Sequence, residues 1–503
     1  MARFAGQIPS RLVSAIVTAV VVVCCAAAWG GGLEIPDLGT VAIGRGTAFV
    51  ARADNLSAFH YNPAGLAKSK GPNLLLGINL IHLDVGFTRA GSDMWIVGGP
   101  GGEPVAECPP GEICIADPAL DYGYFPEDAT SYRRVTSASK LGPAPMVVFS
   151  WGDVFGVEGL ALAAGLLPPS SFGAPSFPKE GPQRYALRSA HHLIAFPGIG
   201  AAYAINRYIQ VGAVFLSGFA LLEQHQAIRP VPQLNNDRDY NERRDGDADL
   251  LLDADDPFVP TAIVGLLSNP VDWLEIGASV RFPARIEAEG TLEYTAPTRD
   301  MPDSHLAPGR DKVVVRQHFP WLVRTGVRYV HRLFDVEVDF VWENWSSLRA
   351  FEVDIDAAID EGNGSLTEMP DAEVPKHFRD TYSVRVGGDV EVWPEHLAVR
   401  LGGYYQSSAH PEDNSTFNLD FPFGEQFGLG GGLTWHSCRW LDVNVGYLHV
   451  FQKDVVVTRG VVQQQGLPLV LGEIEQVIGN TVNNGKYEVS ANLFGLSLEG
   501  HFN

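Results

Sequence analysis

Between Phe334 and Glu343 the sequence alternates without interruption. Phe334, Val336, Val338, Phe340 and Trp342 share one parity; Asp335, Glu337, Asp339 and Glu343 share the other. Successive side chains of a strand point to opposite faces, so this segment has one apolar and one acidic face. The preceding stretch does the same, setting Val313, Val315, Phe319, Trp321, Val323, Val327 and Tyr329 against Arg316, His318, Arg324 and Arg328. Two kinds of fold carry such strands. One is a soluble sandwich with water on the charged face; the other is a membrane barrel with lipid outside and a polar lumen within.

At 503 residues with 54 glycines the chain is too long for one ordinary soluble core, which leaves several domains or one large barrel. Residues 1–28 read as a secretory signal peptide, removed on export. Arg3 and Arg11 make a basic start, Leu12 to Val23 an apolar core, and Ala26-Ala27-Ala28 a cleavage site. The apolar run is short for a helical span of ~20 residues. Val21-Val22-Val23 lacks the small residues expected before a lipidated Cys24. No later apolar run is long enough to span as a helix, so a membrane-embedded mature chain must be a closed barrel. The formal charge of −23 becomes more negative once the basic leader is removed, which argues against nucleic acid as a partner. Cys108 and Cys114 enclose a short polar turn, and in an exported protein that spacing favours a local disulfide over a metal site. Cys438 stands alone.

From Asn73 onward fourteen strands can be laid down, at roughly 73–89, 130–151, 158–168, 184–205, 208–226, 257–268, 272–295, 312–330, 333–353, 377–391, 396–408, 424–436, 440–456 and 485–503. Short turns, such as Asn206-Arg207 and His331-Arg332, alternate with long polar gaps over 90–129, 227–256, 354–376 and 457–484. Short turns on one rim and long loops on the other are a barrel arrangement. Trp321, Trp342, Trp345, Trp393, Trp435 and Trp440 fall near strand ends and suit interfacial girdles. In the last strand the apolar parity shifts near Leu493-Phe494, which implies a bulge or an apolar patch in the lumen. Residues 29–72 are Gly-rich and too few for an independent domain in water. The expected fold is all-β: a 14-stranded antiparallel transmembrane barrel over 73–503, with 29–72 as a plug inside it.

The plug segment carries a motif. Gly39, Gly44 and Gly46 lead through Ala53-Asp54-Asn55-Leu56-Ser57 into Asn62-Pro63-Ala64. This resembles the N-terminal hatch of the FadL/TodX outer-membrane transport family. Pro320 to Trp345 resembles that family's strand pair closing on Trp-x-x-Trp, here Trp342 and Trp345. Tyr382 to Tyr405 followed by His410-Pro411, and Leu441 to His449, resemble later strands. The resemblance covers essentially the whole mature chain. It implies a plugged channel in the bacterial outer membrane that passes long-chain fatty acids or aromatic hydrocarbons by diffusion. It also implies lateral exit through an interrupted third strand, for which Pro168-Pro169 is the counterpart. The implied surroundings are outer-membrane lipid and lipopolysaccharide, and a monomer is expected. No catalytic residue and no cofactor are expected.

A carboxylate-bearing solute would need a cation in the lumen. Arg316, Arg324, Arg328, Arg385 and Arg400 lie on the faces read as inward; of these Arg316, Arg324, Arg385 and Arg400 are the substrate-binding candidates. Asp335, Glu337, Asp339, Asp389 and Glu391 share that interior and would absorb much of this charge. Arg316, nearest the loop rim, is the leading candidate. Asp245, Asp247, Asp249, Asp253 and Asp256 sit at calcium-loop spacing, but Leu250 replaces the required Gly, so a solvated acidic loop is the preferred reading. Gly428-x-Gly430-Gly431-Gly432 starts no helix and lacks a following Lys-Ser/Thr; it is read as lumen space or a strand bend. The rival functions are a surface-protein shuttle working through the long loops and an outer-membrane lipid hydrolase, for which no Ser/His pair can be assembled.

Overall fold

A computed structural model describes residues 39–90, 96–97, 133–138, 141–167, 176–228, 244–299, 301–463, 477–478 and 481–502. The expected signal peptide, the Cys108–Cys114 pair and Pro168-Pro169 lie outside these residues. Among the described residues no helix is long and apolar enough to cross a membrane. Fourteen strands close into one antiparallel barrel. They are β1 (Gly71–Arg89), β2 (Leu141–Gly152), β3 (Leu160–Leu167), β4 (Ser189–Asn206), β5 (Ile209–Ile228) and β6 (Ala248–Val271). Three kinked strands follow: β7 (Leu274–Arg281, then Ala284–Thr295), β8 (His305–Phe319, then Leu322–Val330) and β9 (Phe334–Glu343, then Ala350–Asp360). The circuit ends with β10 (Thr381–Trp393), β11 (Leu397–Gln406), β12 (Gln426–Cys438), β13 (Leu441–Gln452) and β14 (Gly485–His501). β1 pairs with β14 from Asn73↔His501 to Arg89↔Gly485, which leaves no open edge at the seam.

Below, here meaning the rim with the short turns, apolar side chains face out. Val336, Val338 and Phe340 of β9 are exposed while Asp335, Glu337 and Asp339 are buried. Above, the arrangement turns inside out. In the upper half of β8, Val313, Val315 and Phe319 are buried, and the Arg316 side chain is on the outer face. In the upper half of β7, Ala284, Ile286 and Ala288 are buried while Arg285, Glu287 and Glu289 are exposed. The kinks at Phe282-Pro283 and Pro320-Trp321 shift chain parity at the same level. Proline cannot donate to the ladder, so the strand breaks register there. In straight β14 the same change occurs with no bulge: Tyr487, Val489, Ala491 and Leu493 are buried, and below them Phe494, Leu496 and Leu498 face out. Of the two alternatives read from the sequence, an apolar lumen patch is the one present.

This inversion explains where strand boundaries depart from expectation. β6 begins at Ala248, not near 257, and β9 continues to Asp360. The upper half of β6 alternates buried Ala248, Leu250 and Ala254 with exposed Asp253 and Asp255, and that of β9 sets half-buried Val353 and Ile355 against exposed Asp354 and Asp356, a pattern that in sequence reads as an acidic loop. Aromatic side chains ring the outer wall near both kinks and turns: Phe282 lies 4.8 Å from Trp321, and Trp273 lies 6.1 Å from Tyr329. Trp345 corrects the girdle reading. It is buried in the β9 kink and its Nε1 donates to Glu343 at 2.5 Å.

Candidate functional site

Residues 39–70 have too little apolar surface to fold alone, and they lie within the barrel. Two short helices, α1 (Thr40–Gly44) and α2 (Ala58–Tyr61), and a 3-10 turn over Pro63–Lys68 are almost wholly buried against its inner wall. Backbone approaches the wall so closely that only glycine fits opposite it. A Cβ on Gly402 would lie 2.0 Å from the carbonyl oxygen of Arg45, and one on Gly430 2.2 Å from that of Ile43. The glycine run of β12 is therefore a docking surface, not a source of open space.

The inward acids of β9 grip this segment. Asp339 accepts from the Phe49 and Val50 amides at 2.7 and 3.0 Å; Glu337 accepts from those of Ala51 and Arg52 at 2.7 and 3.2 Å. Four successive N–H groups with no helical partner thus meet two carboxylates, a charge-assisted arrangement. The Arg45 guanidinium is fully buried against Asp335 at 2.7 Å, Glu337 at 3.1 Å and Asp389 at 2.5 Å. Arg52 adds Asp389 at 2.7 Å, and Arg328 bonds Glu275 at 2.7 Å and Asp335 at 3.1 Å. The Asn62-Pro63-Ala64 motif works by the same logic. Asn62 Nδ2 donates to Val50 O at 2.9 Å and to Leu266 O of the wall at 3.0 Å, and its Oδ1 accepts from Ala64 N.

Above this floor the interior is mostly apolar, with Gln317 and Arg281 buried beside Phe319. Ile194, Phe196, Leu222, Ile286, Val315 and Phe319 belong to one buried cluster. Beside it a cavity of about 60 Å³ is lined by Glu343, Trp345, Tyr404, Phe421, Ala491 and Leu493, among others. The roof comes from the loop after β11. Phe417, Leu419 and Phe421 are buried, and His410 is packed among Phe378, Phe417 and Phe421 with ring centroids 5.1, 4.4 and 5.6 Å away. Lys376 Nζ, fully buried, lies 2.5 Å from Asp420 and 4.4 Å from the Phe351 ring. Burial pushes the Lys376 ammonium pKa down, and Asp420 opposes that shift. Burial, reinforced by the Lys376 charge, pushes His410 down to about 3, so its imidazole is neutral at physiological pH.

The sequence-read arginines separate. Arg316 is on the outer wall above the kink, bonded to Glu287 at 2.9 Å and to Asp354, and does not line the lumen. Arg400 bonds Asp389 at 3.3 Å and Thr434. Arg324 places Nη2 3.2 Å from His60 Nε2 and stacks 5.5 Å from the Tyr61 ring. Arg385 donates to Ser383 Oγ at 2.9 Å. Arg324, Arg385 and Arg400 thus face the interior around the N-terminal segment. The five spaced aspartates do not form a calcium loop. From Asp249 to Asp256 they lie along β6, which rises ~3.3 Å per residue, so they cannot converge. Asp247 instead accepts from Arg184 Nε and Tyr185 OH, both at 2.6 Å, and Asp249 pairs with Arg188 and with Lys179 at 2.7 Å. Among the described residues no cluster of three or more His, Cys, Asp or Glu could hold a metal. Sequence reasoning missed Arg45 and Arg52. The available signal was the surplus of inward acids on β9 and β10, which demanded cations from elsewhere in the chain.

Comparison with known proteins matches residues 21–502 to a family model described as outer membrane protein transport protein (OMPP1/FadL/TodX). No curated protein matches the sequence. Among solved structures, a Pseudomonas aeruginosa FadL homologue aligns with a TM-score of 0.66 at 15% identity, over 94% of this chain and 100% of that one. The Ralstonia pickettii toluene transporter TbuX gives 0.59 at 13%, over 93% and 99%. The P. putida toluene transporter TodX gives 0.58 at 14%, over 93% and 99%. At these identities the structural likeness concerns the fold.

Proposed function

The chain belongs to the outer-membrane transport family OMPP1/FadL/TodX, and from that premise we propose that it is a channel for passive uptake of hydrophobic small molecules. In this reading residues 1–28 are removed on export and 29–72 serve as the hatch. The protein acts as a monomer among outer-membrane lipid and lipopolysaccharide, and no chemical step is assigned to it. The single observation that carries the reading is the apolar chamber, closed beneath by a hatch held with buried charge. A fatty acid or aromatic hydrocarbon gains from leaving water for such a chamber at about 25 cal/mol per Å² of apolar surface. An ion or sugar loses more hydration there than the few polar lining groups, such as Glu343 and Gln426, return.

Exit is sideways, through the wall after β3. That strand stops at Leu167, paired with Phe196, while β4 extends to Ser189. Among the described residues the β4 stretch Ser189–Ala195 has ladder partners only on β5. The sequence continues as Pro168-Pro169, two residues with no N–H to give a ladder. Lateral release spares the solute the aqueous periplasm. Uptake of radiolabelled oleate and of toluene by a strain lacking the gene, with and without complementation, tests the reading; equal uptake in both strains refutes it. Ligand co-purified with the barrel and identified by mass spectrometry names the solute.

A further inference from the structure

The two closures of the lumen are built differently. Below, one guanidinium meets three carboxylates and four amides meet two more carboxylate oxygens, all inside the barrel between the N-terminal segment and the wall. Above, the closure is a surface loop, residues 407–425, whose buried residues mix Phe417, Leu419 and Phe421 with His410, Thr416 and Asn418, and whose outer residues Glu412 and Asp413 are exposed. Its ends are held by Arg379, which donates from N to Ala409 O at 2.7 Å, from Nε to His410 O at 3.0 Å and from Nη1 to Glu412 at 2.9 Å, and by Gln452, which donates to Pro422 O at 2.9 Å; its centre is held by three other residues. Lys376, on the loop between β9 and β10, pairs with Asp420, and Thr416 Oγ1 donates to Lys376 O at 2.6 Å. Asn483, on the loop between β13 and β14, donates Nδ2 to Ser415 O and Phe417 O, both at 2.8 Å. Val461 N donates to Ser415 O at 2.9 Å.

We propose that residues 407–425 are a lid over the lumen, latched by the Lys376–Asp420 ion pair, and that solute enters the chamber only when this lid lifts. The proposal rests on the channel reading above and adds its outer gate. A buried ion pair recovers in attraction roughly what its two charges lose in hydration, so it contributes little net stability while enforcing one geometry. That is the property of a latch: the closed position is specific, yet opening rehydrates both charges. Burial of Phe417, Leu419 and Phe421 supplies the closing force, and an arriving hydrophobic solute offers the chamber walls the same kind of contact. The cavity lies directly beneath, with Ser407, Ala409, Phe421, Phe423 and Gly424 of the lid among its lining residues.

The test uses the full-length protein in outer membranes, with Cys438 replaced by Ser. Ala491→Cys places a thiol in the cavity wall, where the native side chain is 7% exposed. Its reaction with N-ethylmaleimide, read on the peptide carrying position 491, reports opening without requiring transport. Asp420→Ala, which leaves the Lys376 charge buried and unpaired, is expected to speed labelling at least tenfold. A Ser415→Cys/Val461→Cys disulfide is expected to slow both labelling and toluene uptake at least tenfold, with dithiothreitol restoring them. Labelling and uptake that ignore the tether overturn the lid, whatever Asp420→Ala does to folding. Uptake absent from the untethered parent, with labelling still controlled by the tether, sinks the channel reading and leaves the lid standing.

Discussion

Removing Arg45 tests the floor most directly. Arg45→Ala deletes the guanidinium that contacts Asp335, Glu337 and Asp389, but the losses are unequal. Asp335 keeps Arg328, and Asp389 keeps Arg52 and Arg400. Among the described residues, only Glu337 has no second cation at ion-pair distance, although its other oxygen keeps the Ala51 and Arg52 amides. The cost is therefore that of one broken buried pair, about 3–5 kcal/mol, and not three times that. At 1.4 kcal/mol per decade the undocked population of the N-terminal segment rises roughly 10²- to 4 × 10³-fold. Single-channel recording in planar bilayers is the assay: the parent is expected to be nearly silent and Arg45→Ala to show bursts of ionic current. Arg45→Ala/Glu337→Gln removes the orphaned charge and should return part of the silence. A variant as quiet as the parent, or a double variant no quieter than the single, would refute the account of the floor as an electrostatic lock.

Three further outcomes are expected. Gly430→Ala drives a methyl group into Ile43 O at 2.2 Å and should cost ~1–3 kcal/mol of hatch docking, seen as current bursts, whereas neighbouring Gly431→Ala, whose nearest neighbour is 3.9 Å away, should be silent. Arg316→Ala should leave toluene and oleate uptake unchanged, because that side chain lies on the outer wall; a loss of uptake would return it to the solute path. His410 has a closed-lid pKa of about 3 against 6.5 when exposed, so the open form takes up the proton first. The stability that neutral His410 contributes to closure is whole above pH 6.5 and is lost as pH falls towards 3, with ~2 kcal/mol gone at pH 5. Hydrogen exchange of the 415–421 amides, corrected for intrinsic rates, should show roughly thirtyfold less protection at pH 5 than at 7.5, and His410→Phe should abolish the difference.

The fourteen strands were legible because lipid on one side and a polar filling on the other impose strict alternation, and β9 from Phe334 to Glu343 shows it without a fault. What alternation cannot convey is which side is out once the surroundings change. In β8 the apolar residues keep odd numbers from Val313 to Tyr329, yet they face inward before Pro320 and outward after Trp321. The change of register and the change from water to lipid cancel, so the sequence reads as one uniform strand and Arg316 is assigned to the wrong face. In β14 only the environment changes, and the same event is visible as a parity shift at Leu493-Phe494. The partners of the β9 acids were hidden for another reason. They are mostly backbone amides and two arginines nearly three hundred residues upstream, and neither leaves a local pattern.

That separation has a consequence for biogenesis. Arg45 reaches Asp389 across 344 residues of chain, and Leu56 N reaches Glu499 across 443. The contacts that seat the segment from Gly39 to Lys70 cannot all form until nearly the last strand is in place. Insertion of the cylinder and seating of its contents are separate events in time, and an assembly arrested between them would be an open hole in the cell envelope.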